Sequence, residues 1–352
     1  MKLLLVSVNS KESRGGIATW TARFLASCES HGISCTLVNT ELVGKRRGQG
    51  TARRNLLDEV TRTRRIFRDL GQSLGSDYYE AAHLNTSCGT FGLFRDYMMA
   101  KRIKKKGLRL ITHFHCDIPY WIHNSVSRRV LGKLVALSDV RLVLCENSRL
   151  YLEKTFGVTS YKVPNFLDET LVRDGERPIS DTLSTAFFGG RVEEAKGARE
   201  LYDLATRFPQ MTFRLAGDVS DTVAMWEKPN NIVFVGLLPH SEVLAEMDRA
   251  DVFVFPTHSE GFSLALTEAM ARGLPSVATD AGANADMLAD GCGMITDVGD
   301  VDAMTAAMET LTDVNVRKEM SRRATKKVRE QYATDVILEQ FKRYYLSKRE
   351  NA

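Results

Sequence analysis

The sequence lacks the features that mark a membrane-spanning or disordered chain. No apolar run in its 352 residues approaches the roughly 18 residues that a spanning helix needs. Its 43% hydrophobic and 26% charged residues are typical of a folded globular chain of about two domains. The apolar start at residues 3–8 is short and is followed by polar residues without a cleavage site, which favours a first strand over a secretory signal.

The patterns of cysteine, histidine and glycine argue against three common kinds of site. None of the six cysteines forms a C-x-x-C pair, so we expect buried, reduced thiols in a cytosolic protein. His113, His115 and His123 have no acidic or thiol residues at metal-ligand spacing, and we expect no metal. The chain contains no G-x-G-x-x-G, which argues against a dinucleotide-dependent oxidoreductase.

The net charge of +4 conceals two oppositely charged halves. Residues 1–175 carry 28 Lys/Arg against 16 Asp/Glu, a balance of +12, whereas the remainder carries 20 against 28, a balance of −8. Such an asymmetry is typical of a protein that rests on an anionic surface through one domain.

Short apolar runs alternate with helix-length segments in both halves of the chain. Because strands of a parallel sheet covered on both faces are almost continuously apolar, the pattern predicts an α/β fold of two doubly wound, Rossmann-like domains. The strand candidates are residues 3–8, 34–39, 81–85, 108–114, 140–145 and 161–163, then 185–188, 212–216, 232–235, 252–255, 276–279 and 293–295. The helix candidates include residues 17–30, 91–105, 197–208, 241–250, 262–272 and 335–348.

A polar stretch with two prolines and a glycine marks the join between the halves. It predicts an N-terminal domain of residues 1–165 and a C-terminal domain of residues 166–332. Ligands of doubly wound sheets bind outside the carboxyl ends of the strands. We therefore expect two facing domains with one deep cleft between them, and the chemistry at those strand ends.

Two strand ends carry groups suited to a phosphate. Gly15 and Gly16 precede a helix after the first strand, which by itself is a weak signal. After the strand at 185–188 come Gly190 and Arg191, and Lys196 then opens another helix. Two cations beside a glycine turn and a helix start predict a diphosphate site, although either cation alone is more simply a surface charge.

Two glutamates eight positions apart, Glu260 and Glu268, follow the strand at 252–255. Glu260 is expected just before the helix and Glu268 two turns along it; if both were helical, they would lie about 12 Å apart along the axis, at roughly 1.5 Å per residue. One extended nucleotide-sugar could then engage both carboxylates, since carboxylates accept hydrogen bonds from vicinal hydroxyls. The plain alternatives are a first-turn acid for Glu260 and an ordinary surface helix residue for Glu268.

Residues 185–299 resemble the retaining glycosyltransferases of family 4, which have the GT-B fold. The motifs that carry the resemblance are Gly189-Gly190-Arg191, Lys196-Gly197, Leu215-Ala216-Gly217, Phe234-Val235-Gly236, the run 250–256, the E-x7-E element and the run 273–277. The N-terminal half matches more loosely, through Gly15-Gly16 and Thr112-His113-Phe114-His115. The resemblance implies that the last helix returns to the first domain, so that residues 333–352 pack on it.

The resemblance also implies roles for individual residues. Glu268 would bind the ribose hydroxyls, Glu260 the hydroxyls of the transferred sugar, and Arg191 with Lys196 would neutralise the diphosphate. His115 would lie near the reacting centre. The rest of the donor site would be glycine loops and backbone that approach or cap the diphosphate, at Gly15, Gly16, Gly190, Gly261, Phe262, Ser263 and Leu264.

The function that the resemblance implies is a metal-independent, retaining hexosyltransferase in cell-surface polysaccharide or glycolipid synthesis. The donor co-substrate would be a nucleoside-diphosphate-sugar, with a UDP-sugar favoured, no cofactor is expected, and the acceptor would be a glycan or lipid-linked. Two departures from the family pattern stand out. Pro164-Asn165-Phe166 replaces Pro-Asn-Gly, and residues 281–286 lack the usual Gly-Gly followed by an acid.

Other functions stay open from the sequence alone. A sugar-nucleotide epimerase is disfavoured by the E-x7-E element, and a catalytically silent nucleotide-sugar-binding subunit by the intact charged residues. A glycosidase would need two carboxylates flanking the sugar, and the adjoining phosphate elements favour transfer instead. Asp300-Val301-Asp302 resembles a metal-binding D-x-D, but it precedes a helical segment and is predicted to cap it.

A basic segment suggests contact between the N-terminal domain and a membrane. Residues 45–68 hold nine Lys/Arg and two acids, and the apolar residues of a helix near 53–70 fall on one face. A basic amphipathic helix lies on anionic membranes, and the basic run 101–106 adds to it. A helix packed on its own sheet explains the apolar stripe equally well. We expect a cytoplasmic protein, peripheral on the inner face of the membrane, and no nucleic-acid binding, since no aromatic residues interleave with the basic ones.

Overall fold

The computed structural model describes residues 1–10, 15–43 and 56–347. The chain divides into two compact units. Unit 1 comprises Met1–Phe166 with Thr334–Ala352, and unit 2 comprises Leu167–Ala333. Each unit contains a six-stranded parallel sheet.

The sheet of unit 1 has its topological switch point beside its first strand, where the order of the strands reverses. The order is β2-β1-β3-β4-β5-β6. The strands are β1 (Lys2–Ser7), β2 (Ser34–Asn39), β3 (Ala81–Thr86), β4 (Arg109–Phe114), β5 (Val140–Val143) and β6 (Tyr161–Lys162). The helices between them are α1 (Gly16–Ser27), α2 (Leu56–Ser76), α3 (Thr90–Lys105), α4 (Ile118–Trp121), α5 (Ser125–Leu137) and α6 (Glu146–Phe156).

The sheet of unit 2 repeats this plan, with its switch point between the first and the fourth of its strands. The order is β12-β11-β10-β7-β8-β9. The strands are β7 (Thr185–Gly189), β8 (Thr212–Ala216), β9 (Ile232–Gly236), β10 (Val252–Phe255), β11 (Ser276–Thr279) and β12 (Met294–Thr296). The helices are α7 (Ala198–Arg207), α8 (Asp221–Ala224), α9 (His240–Arg249), α10 (Leu264–Ala271), α11 (Asn284–Leu288), α12 (Val301–Thr310) and α13 (Val314–Lys327).

The predicted class, two doubly wound α/β domains, is confirmed. Every predicted strand is present, and the buried strands are almost continuously apolar because helices cover both faces of each sheet. All six cysteines are free thiols; five are buried and Cys35 is partly exposed. No helix within the described ranges is long and apolar enough to cross a membrane.

The last helix, α14 (Thr334–Leu346), belongs to the core of unit 1. Its buried face includes Phe341 and Tyr345, and the Phe341 ring lies 5.7 Å from the ring of Trp20. The predicted return of the C-terminal helix to the first domain is therefore confirmed.

Phe166 explains one departure from the family pattern at the domain join. It is buried beside the rings of Trp20 (5.9 Å) and Phe341 (6.5 Å), and its carbonyl accepts a hydrogen bond from Arg23. A glycine at this position would leave that aromatic cluster one ring short, since large buried side chains supply most of the packing energy.

Candidate functional site

The ion pair between Lys196 and Glu260 joins two loops of unit 2. Lys196 ends a short 3-10 turn between β7 and α7, and its Nζ donates to Glu260 Oε1 at 2.6 Å and to the Ser259 carbonyl at 3.1 Å. Glu260 lies in the loop that follows β10. Because β7 and β10 are neighbours at the switch point, the predicted cation and carboxylate meet where doubly wound sheets bind ligands.

Glu260 lies in the loop just before the helix that carries Glu268, as the sequence predicts. The helix α10 begins at Leu264 and not at residue 262; Ser263 caps it, its hydroxyl accepting from the Leu266 N–H at 3.2 Å. The separation of about 12 Å from helical rise therefore does not apply, and Glu260 is not a first-turn acid. The residue that directly precedes the helix is Ser263.

The loop that carries Glu260 is supported by the glycine-containing loop after β11. Gly282 has φ +63°, and a Cβ there would lie 2.2 Å from the Glu260 carbonyl oxygen. The Ala283 N–H donates to the Gly261 carbonyl at 3.0 Å. Only a residue without a Cβ permits this approach, so Gly282 is part of the Glu260 site although its loop departs from the family pattern.

Glu268 is buried, so the alternative of an ordinary surface residue is wrong. Its residue exposure is 7%, and its Oε1 lies 3.0 Å from Nε2 of His240, the first residue of α9. A buried carboxylate needs hydrogen-bond donors, and an imidazole N–H is one of them. The sequence reasoning missed His240. The signal was present, because His240 follows the end of β9 by four positions, where polar residues were sought after other strands.

A second contact holds the Glu260 loop against α7. His258 Nε2 lies 2.6 Å from Oε1 of Glu200, a buried residue of α7, and the His258 N–H donates to the Ala195 carbonyl at 3.1 Å. Gly197, with φ +81°, lies so close to Pro256 that a Cβ would come within 2.2 Å of the Pro256 carbonyl oxygen. His258 and Glu200 were also missed, although His258 stands two positions before Glu260.

Arg191 is the more exposed of the two predicted cations. Its guanidinium lies 3.3 Å from the Glu193 carboxylate, and half of its side chain is exposed. Gly190 and Arg191 follow β7 directly, in the same connection as Lys196. Each cation thus has a carboxylate neighbour. The two cations lie in the β7–α7 connection, and the start of α10 lies in the same unit. An anion is stabilised by such cations and by a helix N-terminus.

Unit 1 contains the other predicted residues. His115 follows β4, is partly exposed, and its Nε2 lies 3.0 Å from Asn85 Oδ1. Burial, with a smaller contribution from His83, lowers the pKa of His115 to about 3, so its imidazole is neutral at physiological pH. Gly15 precedes α1, its carbonyl accepts from the Thr19 N–H, and no described atom lies within 4 Å of a Cβ built on Gly16.

Two expectations about neighbouring polar residues are confirmed. His113 is fully buried within β4 and packs 4.0 Å from the His115 ring, as expected of a packed strand residue. Asp300 caps α12 by accepting from the Ala303 N–H at 2.8 Å. Within the described ranges, no three His, Cys, Asp or Glu side chains are grouped as metal ligands.

The basic helix near residues 53–70 has one part that packs on unit 1 and one part that is exposed. Arg53 and Arg54 lie outside the described residues. In α2, Arg62 and Arg65 donate to the carbonyls of Thr40 and Glu41 just after β2, and Leu70 is buried in the core. Part of the basic segment therefore has a structural role. The first turns of α2 differ, since Leu57 is 75% exposed and Val60 48% exposed.

Unit 2 matches a family model. Residues 174–331 match the model described as glycosyl transferases group 1, which covers nearly all of this unit. The match includes all the candidate residues of unit 2, from Gly190 to Glu268. It supports glycosyltransferase activity for the chain.

Similar proteins support the same assignment. The 2-deoxystreptamine N-acetyl-D-glucosaminyltransferase of Niallia circulans is 24% identical over 305 residues, which are 77% of each chain. A phosphatidyl-myo-inositol mannosyltransferase of Mycolicibacterium smegmatis is 29% identical over 67% of this chain and 64% of its own length. The crystal structure of Anabaena HepE in complex with UDP superposes with a TM-score of 0.72 at 16% identity, over 99% of this chain and 100% of that one.

Proposed function

We propose that this chain, a glycosyltransferase with the GT-B fold, transfers a hexose from a UDP-sugar with retention of anomeric configuration and without a metal. The observation that carries the proposal is the Lys196–Glu260 pair at the switch point, with α10 starting four residues beyond Glu260. It supports a site where a diphosphate meets a cation while a carboxylate beside it accepts from sugar hydroxyls.

The residues of unit 2 divide the donor between them. Lys196, Arg191 and the start of α10, with the backbone from Gly261 to Leu264, stabilise the charge that develops on the leaving diphosphate. Glu260 accepts hydrogen bonds from hydroxyls of the transferred sugar. Glu268, buried and already hydrogen-bonded to His240, accepts from the ribose hydroxyls.

Retention follows from attack on the face that the diphosphate leaves. The acceptor oxygen forms a bond to the anomeric carbon as the bond from that carbon to the phosphate oxygen breaks, and the bonding electrons go to the phosphate. The phosphate oxygen takes the acceptor's hydroxyl proton. No protein nucleophile takes part, which is consistent with a Glu260 carboxylate engaged by Lys196.

The choice of UDP is supported by a neighbour with the same fold, HepE, which was solved with UDP. The choice of a lipid-linked acceptor is supported by the name of one relative, which specifies phosphatidyl-myo-inositol. We propose that the protein acts in cell-surface polysaccharide or glycolipid synthesis, on the cytoplasmic side of the membrane.

Exposed apolar side chains of unit 1 support contact with a lipid surface. Phe91 and Phe94, at the start of α3, are 69% and 56% exposed, beside the exposed first turns of α2. They line a cavity of about 210 Å³ together with Glu59, Thr63, Phe67, Arg95 and Met98. Aromatic side chains with nearby cations suit an anionic interface, because apolar burial and charge attraction add.

The donor assignment can be tested with a panel of nucleotide-sugars. Thermal shift measures their binding, and slow hydrolysis measures their turnover. We expect one UDP-sugar to raise the melting temperature and to be hydrolysed in the presence of EDTA, since a ligand that binds only the native state stabilises it. The anomeric configuration of the transferred product, read by NMR, should match that of the donor. Absence of stabilisation by every nucleotide-sugar would contradict the proposal.

Sedimentation with vesicles tests the membrane contact. Vesicles rich in anionic lipid should bring down the protein, and Phe91→Ser or Arg64→Glu should weaken binding, whereas Arg322→Glu, an exposed change in unit 2, should not. Equal sedimentation of all four proteins would refute the contact and leave the donor assignment intact.

A further inference from the structure

A continuous line of hydrogen bonds in unit 1 runs from the first turn of α1 to His115. The Thr21 hydroxyl donates to the Ile17 carbonyl at 2.8 Å, and Ser7 Oγ lies 2.6 Å from Thr21 Oγ1. Asn85 Nδ2 donates to Ser7 Oγ at 2.9 Å, and Asn85 Oδ1 lies 3.0 Å from His115 Nε2. The line therefore joins two strands and one helix to a single imidazole.

The direction of donation along this line follows from its first member. A carbonyl oxygen can only accept, so the Thr21 hydroxyl donates to the Ile17 carbonyl. Because Thr21 has no second proton to donate, the Ser7 hydroxyl donates to the Thr21 oxygen. Because the Ser7 hydroxyl donates to Thr21, its oxygen accepts from an N–H of Asn85. This leaves the amide oxygen of Asn85 facing His115, and an oxygen there needs a proton on Nε2.

Burial makes the reverse direction unfavourable. Ser7 and Thr21 are fully buried and Asn85 is 7% exposed, so no solvent can replace a lost partner. Turning the Asn85 amide would set its oxygen against an oxygen of Ser7 that has no proton to give, whichever tautomer His115 adopts. An unsatisfied buried polar group of this kind destabilises the folded protein.

We propose that Asn85 is a positioning residue that fixes His115 in the Nε2–H tautomer, so that its Nδ1 accepts a hydrogen bond from a carbohydrate hydroxyl. This inference rests on the proposed function for the identity of the ligand, but the tautomer does not depend on it. The hydroxyl belongs either to the transferred sugar or to the acceptor. Because burial lowers the pKa of His115 to about 3, the imidazole is a weak base, and His115 orients this hydroxyl without removing its proton.

Long-range ¹⁵N–¹H NMR of the full-length protein labelled at histidine nitrogens reads the tautomer directly. The His115 signals are assigned by their loss in His115→Gln. We expect the wild-type protein at pH 7.5 to show a protonated Nε2 and an unprotonated Nδ1. A dominant Nδ1–H tautomer, or a doubly protonated ring at that pH, would overturn the inference.

Two variants of Asn85 separate positioning from packing. Asn85→Leu should give mixed tautomers and lower kcat/KM about tenfold, the effect of one misdirected hydrogen bond. Asn85→Asp should restore the Nε2–H tautomer and raise the pKa of His115, which shifts the acid limb of the pH–rate profile upwards. Unchanged tautomer and kinetics in Asn85→Leu would contradict the proposal.

Another buried hydroxyl pair in the same unit provides the matched control. Thr112 Oγ1 lies 2.7 Å from Ser138 Oγ, and both residues are buried. Thr112→Val should lower the melting temperature without changing the His115 tautomer, whereas Thr21→Val should change both. If Thr112→Val also mixed the tautomers, the role of the line would be merely structural.

The source of the hydroxyl follows from comparing donor hydrolysis with transfer. A loss in both reactions for Asn85→Leu assigns the hydroxyl to the transferred sugar, and a loss in transfer alone assigns it to the acceptor. A loss in neither would refute the ligand part of the inference. If no nucleotide-sugar binds but the NMR shows the Nε2–H tautomer, the proposed function fails and the tautomer assignment stands.

Discussion

The two units bring polar side chains to their candidate sites by different physical means. In unit 2, Lys196, Glu260, Glu268 and the His258–Glu200 pair are formal or potential charges held in ion-paired contacts. In unit 1, His115 is a neutral imidazole held by uncharged hydroxyl and amide groups. A charged site suits a diphosphate, and a neutral directional site suits hydroxyl groups. The difference teaches that the same doubly wound plan can serve two kinds of ligand group.

Lys196→Ala should show the largest effect and sharpens the comparison most. Loss of a group that stabilises the developing diphosphate charge should lower kcat about 10²–10³-fold, as removal of one such group does elsewhere. Arg199→Ala is the control, because Arg199 is an exposed cation of α7 that pairs with Glu194. Steady-state kinetics of both variants, with the UDP-sugar that the thermal-shift panel selects, measure the two effects. Equal activities of Lys196→Ala and Arg199→Ala would contradict the role of Lys196 in stabilising the diphosphate charge.

Glu268→Ala should weaken nucleotide binding about 10–100-fold, since hydrogen bonds to charged groups contribute about 1.5–3 kcal/mol. Calorimetry with UDP and 2′-deoxy-UDP gives the sharper reading. The wild-type protein should prefer UDP, and Glu268→Ala should bind both ligands alike. A folded Glu268→Ala protein that keeps the preference would remove Glu268 from the ribose site.

Gly282→Ala should destabilise unit 2 by about 1–3 kcal/mol, the cost of strained backbone together with a clash. Gly299→Ala is matched to it, because Gly299 also has positive φ, at +82°, but no atom of the described residues lies within 4 Å of its added Cβ. Both variants incur the backbone strain, and only Gly282→Ala pushes on the Glu260 carbonyl. Chemical denaturation should therefore show a lower free energy of unfolding for Gly282→Ala than for Gly299→Ala. Equal values would show that the loop shifts to accept the added Cβ at no cost.

Acid should destabilise unit 1 through its buried histidines. Burial lowers the pKa of His83 and of His115 to about 3 and that of His113 well below its usual value. The unfolded chain binds protons at histidine near pH 6.5 whereas the folded chain does not. Stability is therefore complete above about pH 6.5 and is lost as the pH falls towards 3, by at most about 1.4 kcal/mol per pH unit for each histidine.

Hydrogen exchange followed by mass spectrometry, at pH 7 and pH 5, checks that prediction unit by unit. Exchange should speed up more in unit 1 after allowing for the intrinsic pH effect. His113→Leu should make the loss shallower, whereas His123→Gln, at an exposed histidine, should not. Equal acid sensitivity of the two units would remove the contrast.

Apolar runs of strand length between helical segments predicted the two parallel sheets, because such runs are typical of strands that helices cover on both faces. The sequence by itself also identified Arg191, Lys196, Glu260 and Glu268 as candidates, since each follows a strand or lies on the next helix. Only the tertiary structure decided their partners. The Lys196–Glu260 and His240–Glu268 contacts join residues 64 and 28 positions apart, and Gly282 lies against Glu260 from another loop. Local patterns report periodicity and propensity along the chain, whereas hydrogen-bond direction and close approach depend on which loops the sheet order brings together.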